Sequence, residues 1–87
     1  MYNRTIDPEQ LHFVHFVVAR YSGAIFASAR QSGRLENFII NSDGSVQRQV
    51  NNHFEYLPWE LASSIRTAAD SEYGKLPVYR TNTFDFS

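Results

Sequence analysis

The feature that most constrains the fold is the segment 34–50, RLENFIINSDGSVQRQV. Its Asp43-Gly44 pair supplies the positive φ that a tight turn between two strands requires. Apolar strand formers such as Phe38 and Ile40 precede the turn, and the five residues Val46–Val50 after it keep only two apolar side chains. The sequence therefore predicts a β-hairpin over residues 34–50. Its second arm, Val46–Val50, is polar between its valines, so we expect it at a sheet edge or facing water on one side.

The segment before the hairpin opens with the signals of a helix start. Asp7 suits the N-cap, Pro8 suits the first helical position, and Gln10 can close a capping box. Apolar residues then recur at helical spacing. These signals predict one helix from Pro8 to about Ser32, with a kink at Ser22-Gly23.

The same segment also permits two strands, Leu11–Arg20 and Ala24–Arg30, joined by a turn at residues 21–23. Aromatic and β-branched residues between positions 13 and 18 favour strand by propensity. The helix is preferred because of its cap. A helix here would be apolar on more than one face, which indicates deep burial or burial against a second chain.

A second helix opens at Leu57-Pro58-Trp59, with proline in the first turn, after a loop or short strand over residues 51–56. Its apolar stripe recurs at helical spacing from Trp59 to Tyr73, and Gly74 ends it. Residues 75–81 then read as a strand, at an edge because Pro77 cannot donate to a ladder.

Together these elements predict an α+β fold in the order α-β-β-α-β. The expected architecture is a three-stranded, mostly antiparallel sheet packed by one or two helices. The chain is one small domain over residues 1–87, and residues 81–87 either extend the last strand or form a flexible tail. Such a sheet leaves its edges and one face unprotected, so we expect a homodimer.

Composition narrows the function classes. The 87 residues include no cysteine, which excludes disulfides and thiolate metal sites. The net charge of −1 does not indicate a general polyanion-binding surface. The polar start with Asp7 and Glu9 is unlike a signal peptide, and no run approaches the roughly 20 apolar residues of a membrane span. We therefore expect a cytoplasmic protein.

Catalytic and metal signatures are weak. The serines lack a G-x-S-x-G motif, and the four glycines form no phosphate-binding loop, so we predict neither an enzyme nor a cofactor. His12 and His15 share one side of a helix at i, i+3, and His53 could complete a nitrogen ligand set. The spacing is not diagnostic, and we predict no metal site.

Arginines near the hairpin raise nucleic-acid binding as an alternative function. A two-stranded ribbon can enter a major groove, and arginine suits phosphate and base recognition. The net negative charge, the single lysine and Glu36 within the hairpin argue against it. In this alternative, a dimeric DNA- or RNA-binding regulator, the contacts are Arg20, Arg30, Arg34 and Arg48.

Protein binding fits the residue inventory best. Thirteen aromatic residues, with the aliphatic ones, exceed what one small core is expected to hide, and aromatics and arginine dominate interface hot spots. The leading hypothesis is a small non-enzymatic module, an inhibitor or adaptor of the accessory kind found in phages and mobile elements, that occupies a partner protein's surface. The predicted contact residues are Arg34, Glu36, Arg48, Trp59, Tyr79, Phe84 and Phe86.

Overall fold

The computed structural model describes residues 5–81. Within them the chain forms six strands and one α-helix, preceded by a short 3-10 turn at Pro8–Gln10. The strands are β1 (His12–Ala19), β2 (Ile25–Gln31), β3 (Arg34–Ile40), β4 (Val46–Val50), β5 (His53–Tyr56) and β6 (Val78–Thr81), and the helix is α1 (Trp59–Tyr73).

The six strands form one mixed sheet in the order β5-β4-β3-β2-β1-β6. Strands β1 to β5 follow one another as an antiparallel meander. The chain then crosses one face of the sheet as α1 and adds β6 parallel to β1. A parallel pair needs such a crossover connection, so α1 is what allows the last strand to reach the far edge.

The predicted three-stranded α-β-β-α-β architecture is therefore wrong. The helix expected from Pro8 to about Ser32 is replaced by β1 and β2, as the two-strand interpretation has it. The cap itself is present, since the Asp7 carboxylate accepts from the Glu9 amide at 3.1 Å. It supports only the three-residue turn Pro8–Gln10, because a cap satisfies local donors but cannot outweigh strand pairing on both sides of β1.

A bulge in β1 places two aromatic side chains that are three residues apart on the same face of the sheet. The register with β2 shifts between Phe13 and His15, so Phe13 pairs with Ala29 while Phe16 pairs with Ala27. Both rings consequently lie on the same face, stacked at 5.5 Å between centroids, although they are three residues apart. An extra residue in a strand thus produces the i, i+3 spacing that usually indicates a helix.

The hairpin over residues 34–50 is confirmed as β3 and β4, which pair antiparallel. Its turn is closed by the Gly44 amide, which donates to the Asn41 carbonyl at 3.0 Å. The Ser45 hydroxyl and amide both donate to the Asp43 carboxylate. These hydrogen bonds, that of the hydroxyl foremost, lower the pKa of Asp43 below its usual value. However, β4 is not at an edge, because β5 pairs with its other side.

The second helix and the last strand are also confirmed. Helix α1 begins after Pro58 and ends before Gly74, and β6 lies at the sheet edge. Ala62, Ile65 and Ala69 of α1 pack into the main core. The largest fully buried side chains are Phe16, Phe38, Val46 and Ile65.

No helix within residues 5–81 has the length and apolar composition needed to cross a membrane.

Candidate functional site

The sheet has two different faces. Strand alternation places Phe16, Ala27 and Phe38 beneath α1. The intervening residues point to the opposite face, which no helix within residues 5–81 covers. We call this second surface the open face. Its central side chains are His15, Val17, Phe26, Ser28, Asn37, Ile39, Gln47, Gln49 and Phe54, and Tyr56 and Tyr79 lie at its edges.

A small apolar cluster lies on the open face, towards the end of the sheet that carries the β1–β2 turn. Ile39 is buried there together with Ala19 and Ala24. The rings of Phe26 and Phe54 pack against this cluster and meet edge to face at 6.1 Å. The two half-buried rings therefore shield this cluster, although no helix within residues 5–81 covers it.

A row of hydrogen-bonded polar side chains crosses three strands of the open face. The Ser28 hydroxyl donates to the Asn37 side-chain oxygen at 2.8 Å. The Asn37 amide donates to Gln49 at 2.9 Å, and the Gln49 amide donates to the Asn51 carbonyl at 3.0 Å. Because each amide is held by its neighbour, the row presents a fixed polar pattern rather than freely rotating side chains.

Exposed aromatic side chains lie at the two edges of the open face. Tyr56 on β5 is 69% exposed and Tyr79 on β6 is 59% exposed. The Tyr79 ring also meets the His15 ring edge to face at 6.3 Å. The central side chains include no Asp, Glu, Lys or Arg, and the exposed His12, Arg30 and Leu35 lie beyond them at one end. The surface is thus uncharged at its centre and aromatic at its edges.

Two of the predicted partner-binding residues form an internal ion pair on the face that carries α1. Arg48 Nη2 lies 3.6 Å from Glu36 Oε1, and these side chains are only 12% and 4% exposed. Arg34 lies nearby at the exposed start of β3. Most of the surface of Glu36 and Arg48 is therefore inside the protein.

The remaining predicted contact residues are divided between surfaces. Trp59 is exposed at the start of α1, and the Arg66 guanidinium lies 5.0 Å from the centroid of its ring. Arg66 also donates to the Gly44 carbonyl, which joins the helix to the β3–β4 turn. Tyr79 belongs to the open face, whereas Phe84 and Phe86 lie outside the described residues.

The four arginines of the nucleic-acid alternative do not form one patch. Arg30 pairs with His12 at the start of β1, whereas Arg20 follows its end, so the two lie roughly 26 Å apart along the strand. Arg34 lies near Arg30, because β2 and β3 meet at that end. Arg48 contacts Glu36 on the face that carries α1.

The three histidines are not brought together either. His12 and His15 lie on β1, whereas His53 lies on β5, four strands away, or about 19 Å. His53 instead contacts Glu55, with Nε2 and Oε2 2.8 Å apart. Among residues 5–81 no group of three or more His, Asp or Glu side chains is placed to hold a metal ion.

An open groove of about 470 Å³ lies between the 3-10 turn and α1, lined in part by Asp7, Glu9, Ser64 and Thr67. The Ser64 hydroxyl donates to a carbonyl of its own helix at 3.3 Å, and that of Thr67 does so at 3.1 Å. Both hydroxyls are therefore engaged with backbone carbonyls of α1.

The sequence alone does not predict the open face, because a helix from Pro8 to about Ser32 would remove two of the strands that form it. Its signal was present in the alternation of small or polar residues with apolar ones, as at Ser28 and Asn37, but that pattern has meaning only once the strands are paired.

Comparison of the chain with protein-family models, with curated proteins and with solved structures gave no match.

Proposed function

We propose that this protein is a small, non-enzymatic protein-binding module whose contact surface is the open face. The observation that carries the proposal is the residue composition of that face, which lacks Asp, Glu, Lys and Arg at its centre and has exposed Tyr56 and Tyr79 at its edges. The cores of protein interfaces are depleted in charged residues and enriched in tyrosine and other aromatics.

The rigidity of the open face supports the same role. Its amides are held by the Ser28–Asn37–Gln49 hydrogen bonds, and its phenylalanines pack on each other. Side chains that are already ordered lose little conformational entropy when a partner docks, so more of the contact energy contributes to affinity. The face therefore suits a partner with a flat, largely uncharged surface.

Occupying such a surface is how an inhibitor or an adaptor acts, and we assign the protein to that class. The proposal places it in the cytoplasm, as an accessory protein of the phage or mobile-element kind. The predicted contacts Trp59 and Arg34 lie away from the open face and are not needed in this arrangement.

The test is affinity capture from a host lysate at moderate salt, followed by mass spectrometry and a binding titration of the recovered partner. We expect one stoichiometric protein, held in a salt-tolerant way. Tyr79→Ala and Tyr56→Ala should each weaken binding about tenfold or more, because truncated hot-spot aromatics cost that much. Tyr21→Ala is the matched control, since Tyr21 is 81% exposed but lies in the β1–β2 turn.

Two outcomes would overturn the proposal. The first is a captured protein that binds the tyrosine variants of the open face as well as the unchanged chain. The second is recovery of nuclease-sensitive material whose binding collapses steeply with salt. That result would favour the nucleic-acid alternative, with the exposed Arg30 and Arg34 as the contacts.

A further inference from the structure

Strand β5 ends the sheet, and its outer side presents backbone groups. The Leu57 amide donates to the Val46 carbonyl on β4 at 2.9 Å. In an antiparallel ladder successive amides point to alternate sides, so the amides of Glu55 and Leu57 face β4. Those of Phe54 and Tyr56 face outward, where no strand of residues 5–81 pairs with them.

The side chains of β5 follow the same alternation. His53 and Glu55 lie on the side of the sheet that carries α1, and both are more than half exposed. Phe54 and Tyr56 lie on the open face. Helix α1 packs across β4, β1 and the 3-10 turn, so it extends away from the outer edge of β5 and leaves that edge accessible.

We propose that the outer edge of β5 pairs antiparallel with β5 of a second copy of this chain, so that the two sheets become one continuous sheet. Side-chain hydrogen bonding specifies the register. When Phe54 lies opposite Phe54 of the second copy, each His53 lies opposite a Glu55, whose carboxylate can accept from an imidazole N–H. A shift by two residues in one direction places glutamate opposite glutamate, which is unfavourable, and a shift in the other direction places histidine opposite histidine and loses the imidazole–carboxylate contact.

The backbone geometry agrees with this register. Phe54, whose amide and carbonyl point outward, occupies the position where two strands exchange a pair of hydrogen bonds. His53 and Glu55 then occupy the positions without hydrogen bonds, where opposite side chains approach most closely. On the other side the two Phe54 rings meet and extend the Phe26–Phe54 contact.

Charged residues at a sheet edge often prevent pairing, but that effect requires like charges to meet. Here the His53–Glu55 order is self-complementary about a two-fold axis, so it favours a second copy. Four residues per chain bury little area, and we therefore expect a weak, reversible dimer. Both open faces would lie on the same side, and the inference does not depend on the proposed function.

The test is sedimentation velocity over a concentration series of the full chain. We expect a monomer–dimer equilibrium whose dissociation constant rises about tenfold or more in Glu55→Lys, because the two cross-strand imidazole–carboxylate pairs are lost. The double variant His53→Glu/Glu55→His exchanges the two groups and restores opposite pairing. It should return the constant to within about threefold of the original. Asp70→Lys, a reversal on the exposed side of α1, is the matched control.

Circular dichroism of each variant shows whether it is folded, and amide exchange of the unchanged chain gives a measurement that needs no substitution. Protection of the Phe54 and Tyr56 amides should increase with protein concentration. A chain that stays monomeric up to about 1 mM overturns the proposal. A dimer unaffected by Glu55→Lys, or a double variant as weak as the single one, overturns the proposed side-chain pairing and register.

Discussion

The Glu36–Arg48 ion pair joins the two strands of the hairpin, β3 and β4, on the side of the sheet that packs against α1. Glu36 pairs with Ala29 of β2, and Arg48 pairs with Phe38 of β3, so the two side chains meet diagonally on the face that carries α1. Both side chains are largely buried, and the attraction between the two charges offsets part of the hydration that each of them loses.

We expect Glu36→Ala to lower the free energy of unfolding by about 2–4 kcal/mol, because it removes a carboxylate that stabilises the largely buried Arg48 charge. Urea denaturation monitored by circular dichroism measures this. Glu60→Ala, at an exposed position in the first turn of α1, should change stability by about 0.5 kcal/mol or less. A loss below about 1 kcal/mol for Glu36→Ala would mean that the pair contributes little. The double variant Glu36→Leu/Arg48→Met should recover most of the loss, since an apolar pair requires no charge compensation.

At the scale of elements, the β3–β4 turn contacts two residues of α1, Trp59 and Arg66. Gly44 has φ of +94°, and a Cβ added there would lie 3.3 Å from the Trp59 ring. Arg66 lies over the same ring and donates to the Gly44 carbonyl. The conformation of the turn and the position of the helix start are therefore coupled through one glycine.

Alanine substitutions at Gly44 and Gly74 should therefore affect the stability of the protein differently. Gly44→Ala should destabilise the protein by about 1–3 kcal/mol, because alanine resists positive φ and the added methyl group crowds Trp59. Gly74→Ala should be neutral or stabilise by up to about 1 kcal/mol, since Gly74 has φ of −80° and open space around its Cβ position. Thermal unfolding of the two variants checks the sign, and equal effects would contradict the coupling.

At the scale of the whole molecule, the strand order places β2 and β3 at the centre of the sheet. Strands β2 and β3 have partners on both sides, whereas β5 has one partner and consists of four residues. Stability is not uniform in such a sheet, because an end strand can separate while the centre stays folded.

Native-state hydrogen exchange should therefore distinguish the central strands of the sheet from the end strand β5. Backbone amides of β2 and β3 should exchange only through global unfolding, whereas those of β5 should exchange through local opening. Within β5 at low protein concentration, the inward Glu55 amide should be more protected than the outward Phe54 and Tyr56 amides. Equal protection of all three would contradict the orientation inferred from the Leu57–Val46 hydrogen bond.

Local chemistry was sufficient for the second half of the fold. The Asp43-Gly44 turn, the proline before Trp59 and the glycine after Tyr73 each act over a few residues, so the hairpin, α1 and β6 could be predicted from the sequence. The candidate open face could not, because its residues come from all six strands and only the register brings Ser28, Asn37 and Gln49 into one row.

The first half of the chain was decided by the tertiary structure. The sequence by itself determined three features of this half. Asp7 forms an N-cap, residues 13–18 are rich in residue types that favour strands, and the spacing of the apolar residues is compatible with either a helix or two strands. Only pairing with β2 on one side and β6 on the other selects the strand for β1. The physical reason is that a helix satisfies its backbone with its own neighbours, whereas a strand depends on partners distant in sequence, and local patterns do not report them.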